Sequence, residues 1–585
     1  MKRALTRLLV AGLLFSGFVW AQEEDDNGSA GEAAHGVARI SLMNGDVSVQ
    51  RGDNGQTVAA APNGPLEAGD HLLTGGNGSA EIQFDAGNFV RLGTDTEVRL
   101  ASLENNQYQV QLGRGTIALA VIRDSSGQLE IDTPNIAFRP RQRGSYRISV
   151  TDDGQSEITV RAGAGDVYTQ QGTEALEAGQ MMMVRGPVSD PEFQVVQAPA
   201  MDDWDRWNQQ RDQSLAATRS YQYVSPDVPG AADLDSYGHW DYDAPYGWVW
   251  APSGVGPDWA PYRAGRWVWL DWYGWTWVSY DPWGWAPYHY GRWFMRPGFG
   301  WCWYPGPIYH HYFWRPALVG FFGFGRGVGF GVGFGFGSIG WVPLGPHEPF
   351  HPWYGGGWRG GNAFVTNVNI RNTYINARVG NGISGMAAGG FTSGARPGAL
   401  RLTGGAQLSM IRGPVGLTPT SASMRMSGNE ARVMPSGAIG RTSFYSAGPA
   451  TGMRVSPAAG GWRQMTQAPA GGGGWRNQAP AARPNSFSSG GGTAGGTNWR
   501  NFASAPPNNN VRINPPIVRE RTASTGGSGG YSGGSGNHGY SGGGSSGGGH
   551  SGGYSGGGGG HSSGGGGGHS SGGGGSHSSS GGHSK

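Results

Sequence analysis

Between residues 36 and about 198, apolar and polar side chains alternate in short runs separated by Gly, Asp and Asn. Val47 and Val49 flank Ser48, and in the run from Ala80 to Phe84 the residues Ala80, Ile82 and Phe84 fall on one side of an extended chain. A period of two predicts strands with one buried face, and hence an all-β domain over 36–198. An internal echo supports this reading. GDVSVQ from Gly45 returns as GDVYTQ from Gly165, and LEAGD from Leu66 returns as LEAGQ from Leu176, which predicts that one strand-and-turn unit is used twice.

The period then changes. Trp204, Trp207, Arg211 and Leu215 recur at spacings of three and four behind Asp202 and Asp203, either of which can cap an N-terminus. A single helix is expected in the connecting segment 201–232, packed on a β domain.

Residues 233–395 return to strands of another composition. WAPYRAGRW at Trp259 recurs 26 residues later as WAPYHYGRW at Trp285, and YGWTW at Tyr273 recurs 26 later as FGWCW at Phe299. Each unit reads as a β-hairpin. In the clearest, Trp267 and Trp269 share one face of a first strand, Trp275 and Trp277 one face of a second, and Asp271 to Gly274 make the turn. Val268, Leu270, Thr276 and Val278 point the other way. The result is a ladder of cross-strand aromatic pairs.

From Gly323 to Gly337 every odd position is Gly, which gives a strand with one bare face, too long at about 3.3 Å per residue to run without a bend. A membrane helix over Leu318 to Val342 fits by length, but alternate Gly and Arg326 oppose it. A flat edge that pairs with other chains is the preferred reading. Beyond residue 396 apolar periodicity ends, so the Arg-containing segment 396–524 and the Gly/Ser/His tail 525–585 are both expected to be disordered.

Composition adds three points. The 585 residues include 112 Gly and 36 Pro, which excludes one compact domain, and only 14% are charged against 24 Trp, so aromatic rings must carry the specific contacts. The net charge of +2 hides a split: residues 1–348 hold 24 basic and 38 acidic side chains, and the remainder 18 basic and 2 acidic. Lys2, Arg3 and Arg7 before the apolar run Leu8 to Val19, followed by Val19-Trp-Ala21, read as a signal peptide over 1–21. Export to the periplasm or cell surface follows, with no transmembrane anchor after cleavage. Cys302 is the sole cysteine and reads as a packed thiol.

Candidate chemistry is sparse. HEPFH, His347 to His351, has the letters of a zinc-protease helix, but Pro349 inside it and Pro346 and Pro352 beside it forbid the helix that brings the two histidines together. Gly526 to Gly530 and the alternating Gly run match a serine elbow and a dinucleotide loop only as low complexity does. The histidines His538, His550, His561, His569, His577 and His583 recur about once per Gly/Ser repeat; without fixed geometry they offer weak adsorption of transition metals at most, and the preferred reading is solubilising sequence. No catalytic residue, metal site or cofactor is expected. The sharpest question is the Trp ladder. Trp267, Trp269, Trp275, Trp277, Trp293, Trp301 and Trp303, with Arg263, Arg266 and Arg292, form a candidate aromatic face for an acidic polysaccharide. The competing and preferred reading makes the rings a core with Arg as its cover.

The succession GDVSVQ, LEAGDHLLTG, AEIQF, VRL, LGRG, IDTP and RGSYRI, ending at Ile148, resembles the FecR-type domain of exported bacterial proteins, with Ser145 where that family usually has Thr. In iron-transport regulators of that family the domain lies in the periplasm below an anti-sigma region and one membrane helix. This chain carries a cleavable signal instead, so the regulator's role is not transferred. DLDSYGHW, the WAPY copies, WVPLGPHEPFHPWY and VNIRN resemble an uncharacterised Trp/Tyr/Gly/Pro-rich domain that follows FecR-type domains elsewhere. The resemblance implies no activity. The expected function is a non-enzymatic envelope protein, structural or adhesive, whose basic aromatic tail contacts acidic surfaces or glycans and which self-associates. The alternative is a glycan-binding or sensory periplasmic module. Intracellular nucleic acid is not an expected partner.

Overall fold

The computed structural model describes residues 35–170, 172–326, 336–354, 364–400, 408–437, 440, 442–447, 500–501 and 511–513. The expected signal peptide and the 525–585 tail with its histidines lie outside these residues. The fold is mainly β, with one longer helix between two β-rich regions.

The alternation over 36–198 becomes two sheets that share one long strand, Gln107–Val121. Its first part pairs with Glu97–Ser102 and, in parallel, with Gln128–Asp132; its second part pairs with Asn88–Leu92 and Gly144–Val150. The crossing point is Gly115, at φ +87°, where a Cβ would stand 2.4 Å from the Thr96 hydroxyl. Only glycine fits there. Ile82, Val90, Ile148 and Val160 from one sheet meet Val49, Leu72, Val98 and Ile131 from the other in one core, each contributing about 1.5–3 kcal/mol by burial. The sequence echo is structural at its turns: Gly69 and Gly179 of the two LEAG copies are both left-handed, and each turn opens a strand, His71–Thr74 or Gln180–Arg185.

The helix forms over Asp203–Ala216, capped by Asp202 and closed by a reciprocal bond from Asp205. It is held to the N-terminal domain mainly by charge. Arg91 binds Glu81 at 2.7 Å and Asp212 at 2.6 Å, Arg211 binds Glu81 at 2.8 Å, and the Glu81 and Arg91 side chains are fully buried. Leu215 is buried, whereas Trp204 and Trp207 stack on each other and stay half-exposed.

The repeats form three hairpins. The first, Gly238–Asp243 with Gly247–Pro252, and the third, Arg292–Arg296 with Gly300–Tyr304, join edge to edge through Trp250 and Trp303. The second, Gly265–Leu270 with Gly274–Ser279, is a separate two-stranded sheet. The Gly-alternating run is divided between two antiparallel strands, Val319–Arg326 and Phe336–Pro343, and its centre lies outside the described residues. Beyond the run, Gly340 stands opposite Phe322 in register, and a Cβ there would stand 2.4 Å from the Phe322 ring. Among the described residues no helix is long and apolar enough to cross a membrane.

The expectation of disorder from residue 396 is corrected in its first part. Leu408–Arg412 pairs with Phe364–Val368 and with the strand Val319–Arg326, and the chain then returns to the N-terminal domain, where Met426 is fully buried in the core. Isolated apolar anchors, not a periodic pattern, hold this stretch.

Candidate functional site at the junction of the two domains

Cross-strand register places Trp267 opposite Trp277 and Trp269 opposite Trp275, with ring centroids 5.4 and 5.5 Å apart, edge to face. Such pairs contribute about 0.5–1.5 kcal/mol beyond their burial. Trp267, Trp275, Trp277, Trp293, Trp301 and Trp303 are all buried, and Trp269 is half-buried. The reverse face of the hairpin, Val268, Leu270, Thr276 and Val278, is buried as well. The arginines are engaged by backbone carbonyls: Arg263 donates to that of Asn381 at 2.6 Å, Arg266 to that of Ala422 in the returning segment at 2.8 Å, and Arg292 to that of Gly291 at 3.0 Å. The buried indoles therefore pack as a core, with Trp269 half-buried at its edge and the arginines lying over it. With few aliphatic side chains available, the indoles are the residues that exclude water.

The exposed rings are elsewhere. Tyr242 (59% exposed) and Trp248 (44%) face each other next to the turn of the first hairpin, and Tyr223 lies 4.7 Å from Trp248.

The two domains meet around Arg39. Its guanidinium, 2% exposed, donates to Gln83 at 2.8 Å and Asn63 at 3.2 Å within the N-terminal domain and to Asp233 of the aromatic domain at 2.7 Å. Asn63 donates in turn to the Asp281 carbonyl at 2.9 Å. His35 stacks on Trp272 at 3.7 Å. Beside that stack opens a cleft of about 360 Å³, lined by Asp53, Glu67, Asp70 and Glu104 from one domain and by Asp271, Trp272 and Tyr273 from the other. Burial, then the neighbouring Asp70, push the Glu67 carboxyl up to about 8 despite the nearby Arg51. An apposition of carboxylates with an indole suits a cationic group better than an anion. Sequence reasoning missed this cleft because its acids are spread from 53 to 271.

HEPFH is a turn. His347 is left-handed at φ +64°, and Glu348 accepts from the backbone N–H groups of Gly345 and Ile375, both at 2.6 Å. Cys302 is buried among Val249, Ala251 and Phe294, and burial pushes its thiol up to about 12. Among the described residues no three His, Cys, Asp or Glu side chains are grouped to hold a metal ion.

Comparison with known families matches residues 70–164 to the FecR protein family and residues 231–348 to a family of unknown function, DUF6600. The chain carries a FecR domain followed by a DUF6600 domain. The match to the first covers most of the shared-strand sandwich, and Arg39 lies before it; the second begins at the short helix Ala231–Tyr237, which carries Asp233. Two crystal structures assigned as an anti-sigma factor from Parabacteroides distasonis, at 2.50 and 1.65 Å resolution, are similar to 22% of this chain at 17% identity, with TM-scores of 0.20 and 0.19. The chain spans 60% and 59% of their lengths. No curated protein matches.

Proposed function

We propose that this chain is an exported, non-enzymatic sensory module of the cell envelope, in which the DUF6600 domain receives a ligand and the FecR domain passes the resulting state to a partner. The observation that supports it is the Arg39 junction. A buried charge that satisfies its hydrogen bonds from both domains at once penalises any movement of one without the other, so occupancy of one domain is felt in the other. The test is hydrogen exchange on the full-length chain with polygalacturonate and dextran as acidic and neutral glycan probes. A sensory module shows protection changes in the FecR strand Asn88–Leu92 as well as in the aromatic hairpins, and loses the FecR change in Asp233→Asn. A response confined to the DUF6600 domain, or no response to either probe, overturns the reading.

The charge split favours a second reading, a structural or adhesive protein whose basic C-terminal part contacts acidic surfaces, glycans or another copy's acidic N-terminal half. Attraction of this kind weakens with salt, since screening shortens to about 3 Å at 1 M. Assembly measured by sedimentation that is indifferent to salt removes it.

A further inference from the structure

One sheet of the N-terminal domain ends on the strand Glu192–Gln197, which pairs with Gln180–Arg185 in unbroken register, from Arg185 opposite Glu192 to Gln180 opposite Gln197. The far side of an end strand carries a row of main-chain donors and acceptors that templates another strand. Nothing in this strand blunts that side: it holds no Pro, no Lys and no bulge. The template is in use. Asn501 lies opposite Glu192 and Arg500 opposite Phe193, so a short antiparallel strand from far along the chain is added to the edge. The same Arg-containing segment does this twice. Val511–Ile513 pairs with Tyr445–Ala447, which is itself fastened to the N-terminal domain by the Tyr445 N–H donating to the Thr133 carbonyl at 3.1 Å and the Ala447 N–H to the Glu130 carboxylate at 3.0 Å.

Among the described residues nothing pairs with the far side of Gln194–Gln197, the continuation of the same strand. Register determines what fits there. Each step forward from Phe193 is a step back from Arg500, which sets Trp499 opposite Gln194, Asn498 opposite Val195, Thr497 opposite Val196 and Gly496 opposite Gln197. The two faces of the strand agree with this assignment. Phe193 is buried in the core and Val195 packs against it, so Gln194 and Val196 face outward, in rows with the half-buried Met183 and Met181. An indole at position 499 joins the row of Gln194 and Met183, where ring and thioether attract, and a β-branched residue at 497 joins the row of Val196. No Pro interrupts residues 496–501.

We infer that the edge Glu192–Gln197 is a strand-addition site whose occupant is this chain's own segment 496–501, entering at the observed pair Arg500–Asn501. Main-chain hydrogen bonds hold the segment, and alternate side chains select its register. Ala447 and Arg500 both lie on the N-terminal domain and residues 448–499 join them, so the segment is tethered beside its site and at micromolar protein outcompetes the same segment of a second copy. The site fastens the basic C-terminal part to the acidic N-terminal half. It goes beyond the sensory reading and stands whether or not the DUF6600 domain binds a glycan.

Hydrogen exchange on the full-length chain tests it. Alternate amides of Gln194–Gln197 point away from Gln180–Arg185, and these should exchange at least about 10-fold more slowly than in a synthetic peptide of residues 190–199. Thr497→Pro/Asn498→Pro removes both N–H groups, one of which faces the edge, and should return those amides to within about 2-fold of the peptide while Ile117 to Ala120 keep their protection. Peptide-like exchange of the outward amides in the wild-type chain would overturn the inference without any variant, and so would protection that survives the two prolines. Protection that grows between about 1 and 100 μM protein, with dimers in sedimentation, would also overturn it, by making a second copy the occupant.

Discussion

The Arg39 guanidinium and the Asp233 carboxylate, 194 positions apart in sequence, lie 2.7 Å apart at the seam of the FecR and DUF6600 domains, the arginine almost wholly buried. The contact makes the seam a shared polar core and not a flexible connection.

Removing one side of that pair should be costly. Asp233→Ala leaves a buried guanidinium short of its counter-charge, and a loss of about 3 kcal/mol is expected in chemical denaturation of the full chain. A loss below about 0.5 kcal/mol would mean that water replaces the carboxylate.

Glu81 binds two arginines with no exposure of its own, and their hydrogen bonds and charges outweigh desolvation to hold its carboxyl down at about 2. Its folded value lies below its unfolded one, so the contribution is complete above the ordinary carboxylate range and is lost as pH falls toward 2. Glu81→Gln should cost about 3–5 kcal/mol at pH 7 and progressively less on acidification, read from urea midpoints at several pH values.

Glu67 has the opposite sign. Its carboxyl is raised to about 8, so the proton is held more tightly in the folded chain and stability falls as pH rises from about 4.5 to 8. Glu67→Gln, which keeps the shape without the charge, should stabilise the protein by about 3–5 kcal/mol at pH 8 and by nothing at pH 4. A pH-independent difference would contradict the burial of this group.

Gly340 lies under the Phe322 ring, so Gly340→Ala forces ring or strand to move. A loss of about 1–3 kcal/mol is expected, seen as a lower Tm, and Phe322→Leu in the same chain should restore part of it.

Tryptophan fluorescence separates core from surface. Emission should contain a large blue-shifted component shielded from iodide, and the quenchable fraction, to which the half-exposed Trp204 and Trp207 also contribute, should fall more in Trp248→Phe than in Trp269→Phe. Absence of a shielded component would place the buried ladder in solvent.

Much of the fold was legible from the chain. Alternation announced the N-terminal β domain, the spacing of Trp204 to Leu215 announced the helix, and the 26-residue period announced hairpins whose facing residues are those the turn at Gly274 dictates. The junction was not legible. Arg39, Asn63, Asp233 and Asp281 belong to different elements with no shared period, and a lone Arg in a strand looks the same whether water or another domain covers it.

The sequence by itself determined which residues face each other, because strand period and turn geometry are local and fix register within a hairpin. Only the tertiary structure decided which faces meet water. Trp267 and Trp248 carry the same local pattern, yet one is core and the other is exposed. Glu97 sits on the outer face of its sheet yet is buried, and Ser436, 339 positions later in the chain, donates to it. Burial depends on what arrives from a distance, and a local pattern carries no record of it.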